Sequence, residues 1–265
     1  MDTQQANRQT ALITGASGGL GYEFARIFAR EGYDLVLVAR SEDKLNSIKR
    51  DLENKHGITV LVIVKDLSEP SAPQSIFDAL VQSGTEVDVL VNNAGFTVFG
   101  LFAETDLGKE LEMLNVNIVA LTHLAKLFLL PMLERGHGRI LNMASTAAFQ
   151  PGPLMAAYYA SKAYVLSFSE ALAEELSDKG VTVTALCPGP TQTGFQKRGN
   201  LERSRLVAGR QIMSPRIVAQ AGYRALMKGQ RVVIPGFMNK AIAEGMRFLP
   251  RRLVTRVVIK AQAPI

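Results

Sequence analysis

Short apolar stretches alternate along the chain with longer stretches in which apolar residues recur every three or four positions. Short apolar runs are typical of strands buried in a parallel sheet, and the longer periodic stretches are typical of amphipathic helices. Strands are predicted at 10–14, 34–39, 58–64, 87–91, 138–145, 181–187 and 230–234, and helices at 20–31, 42–56, 71–83, 107–133, 156–176 and from 214 onward. This alternation predicts an α/β fold, a single doubly wound parallel sheet with helices on both faces.

A glycine-rich turn separates the first predicted strand from the first predicted helix. Gly15, Gly19 and Gly21 are spaced one residue wider than the G-x-G-x-x-G pattern of dinucleotide-binding proteins. Glycines in such a turn allow backbone N–H groups and the helix N-terminus to approach a pyrophosphate. The turn therefore predicts a nucleotide-binding site at the carboxyl end of the first strand.

Tyr158 and Lys162 lie four residues apart near the start of the helix predicted at 156–176. Residues at this spacing share one face of a helix. A nearby ammonium favours the phenolate and lowers the pKa of a tyrosine from its ordinary value of about 10, so the phenol can serve as a general acid or base. The pair alone is weak support for catalysis, because the same spacing occurs by chance on many helices.

Four motifs follow one another in a fixed order along the chain. They are the glycine-rich turn at 14–21, Asn92-Asn93-Ala94-Gly95, Ser145 where the fifth strand runs out into a loop, and Tyr158 with Lys162. In this order and spacing they resemble the short-chain dehydrogenase/reductase family, from about residue 9 to residue 235. The resemblance implies a Rossmann-type domain, taken here as 1–236, which exchanges hydride between NAD(P) and a ketone or secondary alcohol.

The resemblance also implies a role for each catalytic position. Tyr158 would be the general acid and base, Ser145 would stabilise the carbonyl oxygen, and Lys162 would tune Tyr158 and hold the nicotinamide ribose. Asn117, within the helix predicted at 107–133, would hold a local helix distortion and a water in the proton path.

Arg40 stands at the end of the second strand, where dinucleotide-binding folds place an acid for the ribose 2′-hydroxyl of NAD. A guanidinium can instead pair with a 2′-phosphate, so NADP(H) is favoured over NAD(H). The alternative is that Arg40 caps the strand end or faces solvent. By resemblance, Asp66 would contact the adenine ring and Thr193 the nicotinamide. The predicted cofactor-binding residues are Gly15, Ser17, Gly18, Gly19, Leu20, Gly21, Arg40, Asp66, Leu67, Asn93, Ala94, Gly95, Tyr158, Lys162, Pro188, Gly189, Thr191 and Thr193.

The basic residues are concentrated in the last third of the chain. From residue 190 onward there are fifteen Lys and Arg against two acids, whereas residues 1–189 hold fifteen bases and twenty-two acids. This asymmetry indicates an anionic partner, and a solvated basic face without a partner is the alternative. No nucleic-acid partner is expected.

Residues 237–265 extend past the part of the chain that the resemblance covers. Apolar and basic residues interleave there, and Pro250 is expected to divide this helical extension in two. We expect the extension to cover the substrate cleft or contact another subunit. The alternative is peripheral contact with an anionic membrane, which suits a basic amphipathic segment.

The helices predicted at 107–133 and 156–176 are apolar on most faces, as expected of helices buried on more than one side. The resemblance implies that these two helices pack against their copies in a second subunit. We therefore expect a homodimer or a homotetramer.

The expected substrate pocket is apolar and lies beneath a basic rim. Residues 96–102 and 146–155 would line it, with Phe102, Phe149 and Leu154 among them, and the basic segment 190–213 would form a mobile lid. Such a pocket suits a 3-oxoacyl thioester on acyl carrier protein or coenzyme A. A steroid-like or other lipophilic ketone is the second alternative and a small hydroxy acid the third. A non-catalytic NADP(H)-binding scaffold is the alternative of a different class.

Other features of the sequence bear on the compartment and on metals. No apolar run is expected to span a membrane, and the polar N-terminus lacks the core of a signal peptide. Cys187 has no partner for an internal disulfide and is expected in the core, which fits a cytoplasmic protein. The three histidines lack metal-ligand spacing, so no metal site is expected.

Overall fold

The computed structural model describes residues 8–195 and 212–262. Within these residues, seven parallel strands form one sheet in the order β3-β2-β1-β4-β5-β6-β7. The strands are β1 Thr10–Thr14, β2 Asp34–Ala39, β3 Val60–Val64, β4 Val89–Asn92, β5 Gly138–Met143, β6 Val181–Leu186 and β7 Val232–Val233. The predicted doubly wound parallel sheet is confirmed, and the strand ends differ from the predicted ones by a few residues at most.

The helices cover both faces of the sheet. They are α1 Gly19–Arg30, α2 Glu42–His56, α3 Ala72–Gln82, α4 Leu107–Leu114, α5 Leu121–Arg135, α6 Ala156–Glu175, α7 Pro215–Met227, α8 Phe237–Gly245 and α9 Arg251–Gln262. The single helix predicted at 107–133 consists of α4 and α5 joined by a π-helical turn, Asn115–Ala120.

Alternate side chains of each strand enter two different apolar clusters, because successive residues of a strand point to opposite faces. Ile13 packs on one face with Phe24 and Phe28 of α1, and Leu12 packs on the other with Phe128 of α5. Each fully buried Leu or Phe stabilises the fold by about 1.5 to 3 kcal/mol relative to an exposed one. Cys187 is also buried, as predicted.

The helical segment Leu107–Arg135 is long and apolar enough to cross a bilayer. Half of its most apolar stretch is buried inside the protein. The expectation that no apolar run reaches this length is therefore wrong. Leu124, Phe128 and Met132 of this segment pack into the core of the sheet, and core helices share the same length and composition.

The order of the strands places the loops after β1 and β4 side by side. Strand β1 lies between β2 and β4, so the chain turns in opposite directions from the middle of the sheet. In open α/β sheets, ligands bind in the crevice at the carboxyl ends of the strands at such a point.

Candidate active site

A cavity of about 1030 Å³ opens along the carboxyl edge of the sheet at this point. Nearly all predicted site residues line it, from the glycine-rich turn through Asp66 and Ser145 to Thr193. The exceptions are Gly21 and Asn117, which do not line the cavity. The structure therefore brings the predicted residues together, while their individual roles stay predictions.

The glycine-rich turn has a backbone that only glycine adopts readily. Gly15 and Gly19 have φ angles of +67° and +57°, in the left-handed region. Gly21 is required for a different reason, since a Cβ there would meet the carbonyl oxygen of Gly15 and lie 2.7 Å from Asn93 Nδ2. The first turn of α1 contains no acid, so its N–H groups present a positive end suited to a pyrophosphate.

Hydrogen bonds tie the loop after β4 to β1. The side chain of Asn93 donates to the carbonyl of Thr14 at 2.8 Å, and the Thr14 hydroxyl accepts the N–H groups of Asn93 and Ala94, each at 3.0 Å. Asn93 thus holds two loops of the cavity wall in register. This contact explains the Asn-Asn-Ala-Gly motif in structural terms.

Asn117 sits in the π-helical turn between α4 and α5 and is fully buried. Its amide group accepts from the N–H of Phe96 at 3.2 Å and donates to the carbonyl of Phe96 at 3.0 Å and to Ser161 Oγ at 3.1 Å. The predicted helix distortion at Asn117 is therefore present. These bonds connect the loop after β4 with α6.

Ser161 was missed by the sequence analysis, although it lies between the two residues of the Tyr158–Lys162 pair. Its hydroxyl donates to the carbonyl of Tyr158 at 2.6 Å while it accepts from Asn117. Ser161 is fully buried, and the available signal in the sequence was a serine within an otherwise apolar helical run.

Tyr158, Lys162 and Ser145 meet at the floor of the cavity. Lys162 Nζ lies 5.8 Å from the centre of the Tyr158 ring and donates to the carbonyl of Met143 at 2.8 Å. The Ser145 hydroxyl donates a hydrogen bond to the carbonyl of Pro188 at 3.4 Å. It also accepts from the N–H of Ala147 at 3.1 Å, which fixes its position at the end of the strand.

Burial controls the protonation of this group. It raises the pKa of Tyr158 well above its ordinary value, against the opposing effect of the Ser145 hydrogen bond. It also lowers the pKa of Lys162 to about 8. The expected lowering of the Tyr158 pKa is not seen, because desolvation by burial dominates. Tyr158 is accordingly a protonated phenol at neutral pH, which is the form that donates a proton.

Arg40 forms an ion pair at the opposite end of the cavity. Its guanidinium lies 3.3 Å from Asp66 Oδ2 and 3.8 Å from Glu112 Oε1, with 63% of the side chain exposed. Burial acts to raise the pKa of Asp66, but hydrogen bonds from Ser68 and Arg40 together bring that pKa below its ordinary value. Asp66 thus positions Arg40 as well as its own loop.

Further polar residues at this end of the cavity were not predicted. Ser41, Lys44 and Lys65 line the wall beside Arg40. Three cations and a hydroxyl form a donor set that suits a phosphate. This set, the open glycine turn and the acid-free helix N-terminus together fit a dinucleotide that carries a 2′-phosphate.

The loop after β6 covers the glycine-rich turn. The side chain of Thr193 lies 3.3 Å from the point where a Cβ on Gly19 would stand, and a Cβ on Gly189 would lie 2.6 Å from Asn239 Oδ1 of α8. Thr191 forms a bridge with Met213. Residues 196–211 of the predicted lid lie outside the described part of the chain.

The substrate end of the cavity differs in part from the predicted lining. Phe96, Phe99, Met155 and Phe195 line it, together with the polar side chains of Gln150 and Tyr159. The predicted lining residues Phe102, Phe149 and Leu154 do not. Phe102 is 65% exposed, the ring of Phe149 lies under the guanidinium of Arg247, and Leu154 has a left-handed backbone with a φ of 68°.

The C-terminal extension packs against the active-site side of the domain. Pro250 separates α8 from α9, as predicted. Val254 and Val258 of α9 join the apolar cluster of Met155, Tyr158 and Tyr159. Gln262 donates a hydrogen bond to the Tyr159 hydroxyl. Among the described residues of the extension, none lines the cavity itself, so the predicted cleft cover stays a prediction.

The family model and the similar proteins point to the same family. The family model for short chain dehydrogenases matches residues 9–204. The very-long-chain 3-oxoacyl-CoA reductase of Anas platyrhynchos is 36% identical over 193 residues, which are 71% of this chain and 61% of that protein. The ketoacyl reductase HetN of Nostoc sp. is 34% identical over 233 residues, which are 85% of this chain and 78% of that protein.

A solved structure shares the whole architecture. A short-chain dehydrogenase from Sphingobium yanoikuyae in complex with NADPH superposes with a TM-score of 0.82 at 31% identity, covering 90% of this chain and 92% of that one. The family match, the relatives and the order of the site residues agree. The chain belongs to the short-chain dehydrogenase/reductase family.

Proposed function

We propose that the chain is an NADP(H)-dependent oxidoreductase that interconverts a ketone and a secondary alcohol. The observation that carries this proposal is the meeting of Tyr158, Ser145 and Lys162 in the cavity that begins at the glycine-rich turn. The non-catalytic scaffold alternative is weakened because the catalytic set is complete. The experiment is to measure NADPH and NADH oxidation by the purified protein with a 3-oxoacyl-CoA, a steroid ketone and a small keto acid.

The positions of Tyr158, Ser145 and Lys162 each support one role in carbonyl reduction. When bound, NADPH would supply the hydride. The Ser145 hydroxyl would donate a hydrogen bond to the carbonyl oxygen and stabilise the negative charge that develops on it. Tyr158 would donate its proton to the same oxygen, and the Lys162 ammonium would stabilise the phenolate that remains. In oxidation, Tyr158 and Ser145 act in the reverse sense.

The glycine-rich turn and the phosphate end of the cavity would hold the cofactor. The N-terminus of α1 would bind the pyrophosphate. Arg40, with Ser41, Lys44 and Lys65, would bind the 2′-phosphate. NADP(H) is therefore proposed over NAD(H), and the NADPH complex of the similar Sphingobium protein supports this choice.

A 3-oxoacyl thioester is the proposed substrate class. The cavity near Tyr158 combines apolar side chains with Gln150 and Tyr159, which suits an acyl chain that carries a second carbonyl. The similarity to the 3-oxoacyl-CoA reductase of Anas platyrhynchos and to the ketoacyl reductase of Nostoc sp. supports this class. The carrier would be coenzyme A or acyl carrier protein. A steroid-like ketone is the second candidate, favoured by the same apolar wall.

The lid arginines are expected to separate charged from neutral substrates. Arg203, Arg205 and Arg210 lie outside the described residues, and the prediction rests on their charge alone. Replacing all three by alanine should raise KM for a 3-oxoacyl-CoA about tenfold or more, because each charge-assisted contact contributes about 1.5 to 3 kcal/mol. KM for a neutral ketone should be unchanged. Equal effects on both substrates would contradict the thioester proposal.

Carbonyl reduction is expected to decline as pH rises above about 8. Lys162 has its pKa lowered to about 8, so it loses its charge in this range and no longer stabilises the Tyr158 phenolate. The profile of kcat/KM from pH 6 to 10 should show an alkaline limb near 8.

Unfolding does not account for such a limb. The unfolded chain binds more protons at Lys162 than the folded chain between the lowered and the ordinary pKa, so this group makes the fold more stable as pH rises there. The melting temperature is measured at each pH as the control. A profile that stays flat well beyond pH 8 would show that the Lys162 charge is not needed.

A homodimer or homotetramer is proposed through α4, α5 and α6. Leu111, Val119, Leu130 and Tyr164 are exposed apolar side chains on these helices or on the π-helical turn. The hydroxyls of Thr122 and Tyr164 lie 3.0 Å apart, so the π-bulged helix and α6 present one joined surface.

A further inference from the structure

The C-terminal segment, residues 237–262, has one face that the protein covers and one that it leaves exposed. Ala243, Val254, Val258 and Gln262 are buried against the domain. The last three recur every four residues, so they form one stripe along α9. That stripe accounts for the attachment of the segment to the active-site cluster and leaves the rest of its apolar residues unexplained.

The exposed face of the segment is rich in large apolar side chains. Phe237 and Phe248 are 86% and 88% exposed. The others are Met238, Ile242, Leu249, Leu253, Val257 and Ile259. Single exposed apolar residues are ordinary, but eight large ones within one segment of 26 residues indicate an interaction surface.

The same face is strongly basic. The segment contains six Lys and Arg against one acid, Glu244, which lies 3.9 Å from Lys240. Among the described residues, no ion pair is formed by Arg251, Arg252, Arg256 or Lys260. The charge of this surface therefore has no counterpart within the described part of the chain.

The basic and apolar side chains are sorted along α9. Arg252, Arg256 and Lys260 recur every four residues and share one face, and Leu253 with Val257 forms the adjacent stripe. A helix with this pattern lies in the plane of a membrane interface, its apolar stripe in the acyl boundary and its cations at the headgroups.

We propose that residues 237–262 dock the protein on the surface of an anionic membrane. The exposed phenylalanines enter the interface and the cations contact the lipid phosphates. A second copy of the chain is the competing occupant, but a self-complementary contact through this face brings like charges together, which disfavours it. Docking here is independent of the chemistry in the cavity, and it places the segment between the lipid and the active-site cluster.

The test is co-sedimentation of the full chain with vesicles of phosphatidylcholine, with and without phosphatidylglycerol. We expect binding to the anionic vesicles that is at least about tenfold stronger than to the neutral ones. Each cation near such a surface strengthens binding about fivefold, so Arg252→Glu with Arg256→Glu should weaken binding at least about twentyfold. Phe237→Glu with Phe248→Glu should weaken it at least about tenfold.

Matched controls carry the same changes elsewhere on the surface. Lys55→Glu with Lys179→Glu reverses two exposed cations, and Val81→Glu with Ile217→Glu replaces two exposed apolar residues. Both controls should bind as the wild type does. Turnover of a water-soluble ketone by the Phe237→Glu, Phe248→Glu variant should be unchanged, which separates docking from catalysis.

Several results would overturn the proposal. One is wild-type protein that binds neither vesicle, or both equally. Another is a control pair that loses as much binding as the segment pair. A third is the combination of two observations: the wild type does not bind vesicles, and a segment variant has a lower molecular mass than the wild type by light scattering. That combination would assign the face to a second copy of the chain.

Discussion

Replacing Tyr158 by phenylalanine is expected to lower kcat for carbonyl reduction by about 10²- to 10⁴-fold, the usual contribution of a positioned proton donor. The ring stays, so the apolar cluster with Met155 and Val254 is kept. NADPH affinity should change by no more than about threefold, because the general acid acts in the transition state and not in cofactor binding. Steady-state kinetics and NADPH fluorescence titration measure the two quantities.

Tyr159→Phe is the matched control for that result. It removes a buried hydroxyl from the next position of the same helix, one that accepts from Gln262 and whose pKa burial raises to about 12. We expect a loss of less than about tenfold in kcat, since Tyr159 loses hydrogen bonds but donates no proton to the reacting oxygen. Equal losses in the two variants would mean that helix α6 was disturbed and that Tyr158 has no special role.

Replacing Arg40 by alanine is expected to raise KM for NADPH by about 10- to 100-fold and to leave KM for NADH within about twofold. A charge-assisted hydrogen bond to the 2′-phosphate contributes about 1.5 to 3 kcal/mol, and NADH has no phosphate there. Arg40 also pairs with Asp66 and Glu112. Releasing those two acids beside the 2′-position adds repulsion toward NADPH alone.

Arg50→Ala controls for the loss of a cation near the site. Arg50 is an exposed residue of α2 that does not line the cavity. It should leave KM for both cofactors unchanged. If Arg40→Ala raised KM for NADPH and NADH by the same factor, Arg40 would stabilise the loop of Asp66 and would not bind the 2′-phosphate.

The sequence predicted those parts of the site that depend on the residue pattern within a single strand, turn or helix. The alternation of strands and helices determined the sheet, and the order of the strands then placed Gly15, Asn93 and Ser145 at one edge. The glycine turn could be predicted because its left-handed backbone restricts the residue type. The pairing of Tyr158 with Lys162 could be predicted because helix spacing determines which residues share a face.

The parts that were missed depend on contacts between distant segments. The Ser161 hydroxyl accepts a hydrogen bond from the Asn117 side chain. The Asn117 side chain in turn accepts one from the backbone N–H of Phe96. The hydrogen-bond donor to the Tyr159 hydroxyl is Gln262, which lies 103 positions further along the chain. The raised pKa of Tyr158 follows from burial, which no local pattern reveals.

The incorrect predictions have the same origin. Phe102, Phe149 and Leu154 were assigned to the pocket wall because apolar loop residues near the site were assumed to face it. The direction of a loop side chain depends on its backbone, and Leu154 adopts a left-handed φ of 68° that sequence alone does not indicate.

Hydride transfer can be followed with [4-²H]NADPH, prepared in both stereochemical forms, and a 3-oxoacyl-CoA. We expect one form to yield an alcohol heavier by one mass unit, with the label on the former carbonyl carbon. We also expect Tyr158→Phe to transfer the label at least about 10²-fold more slowly. NADPH binding without label transfer to this substrate or to the steroid ketone, or equal transfer by Tyr158→Phe, would contradict the proposed function.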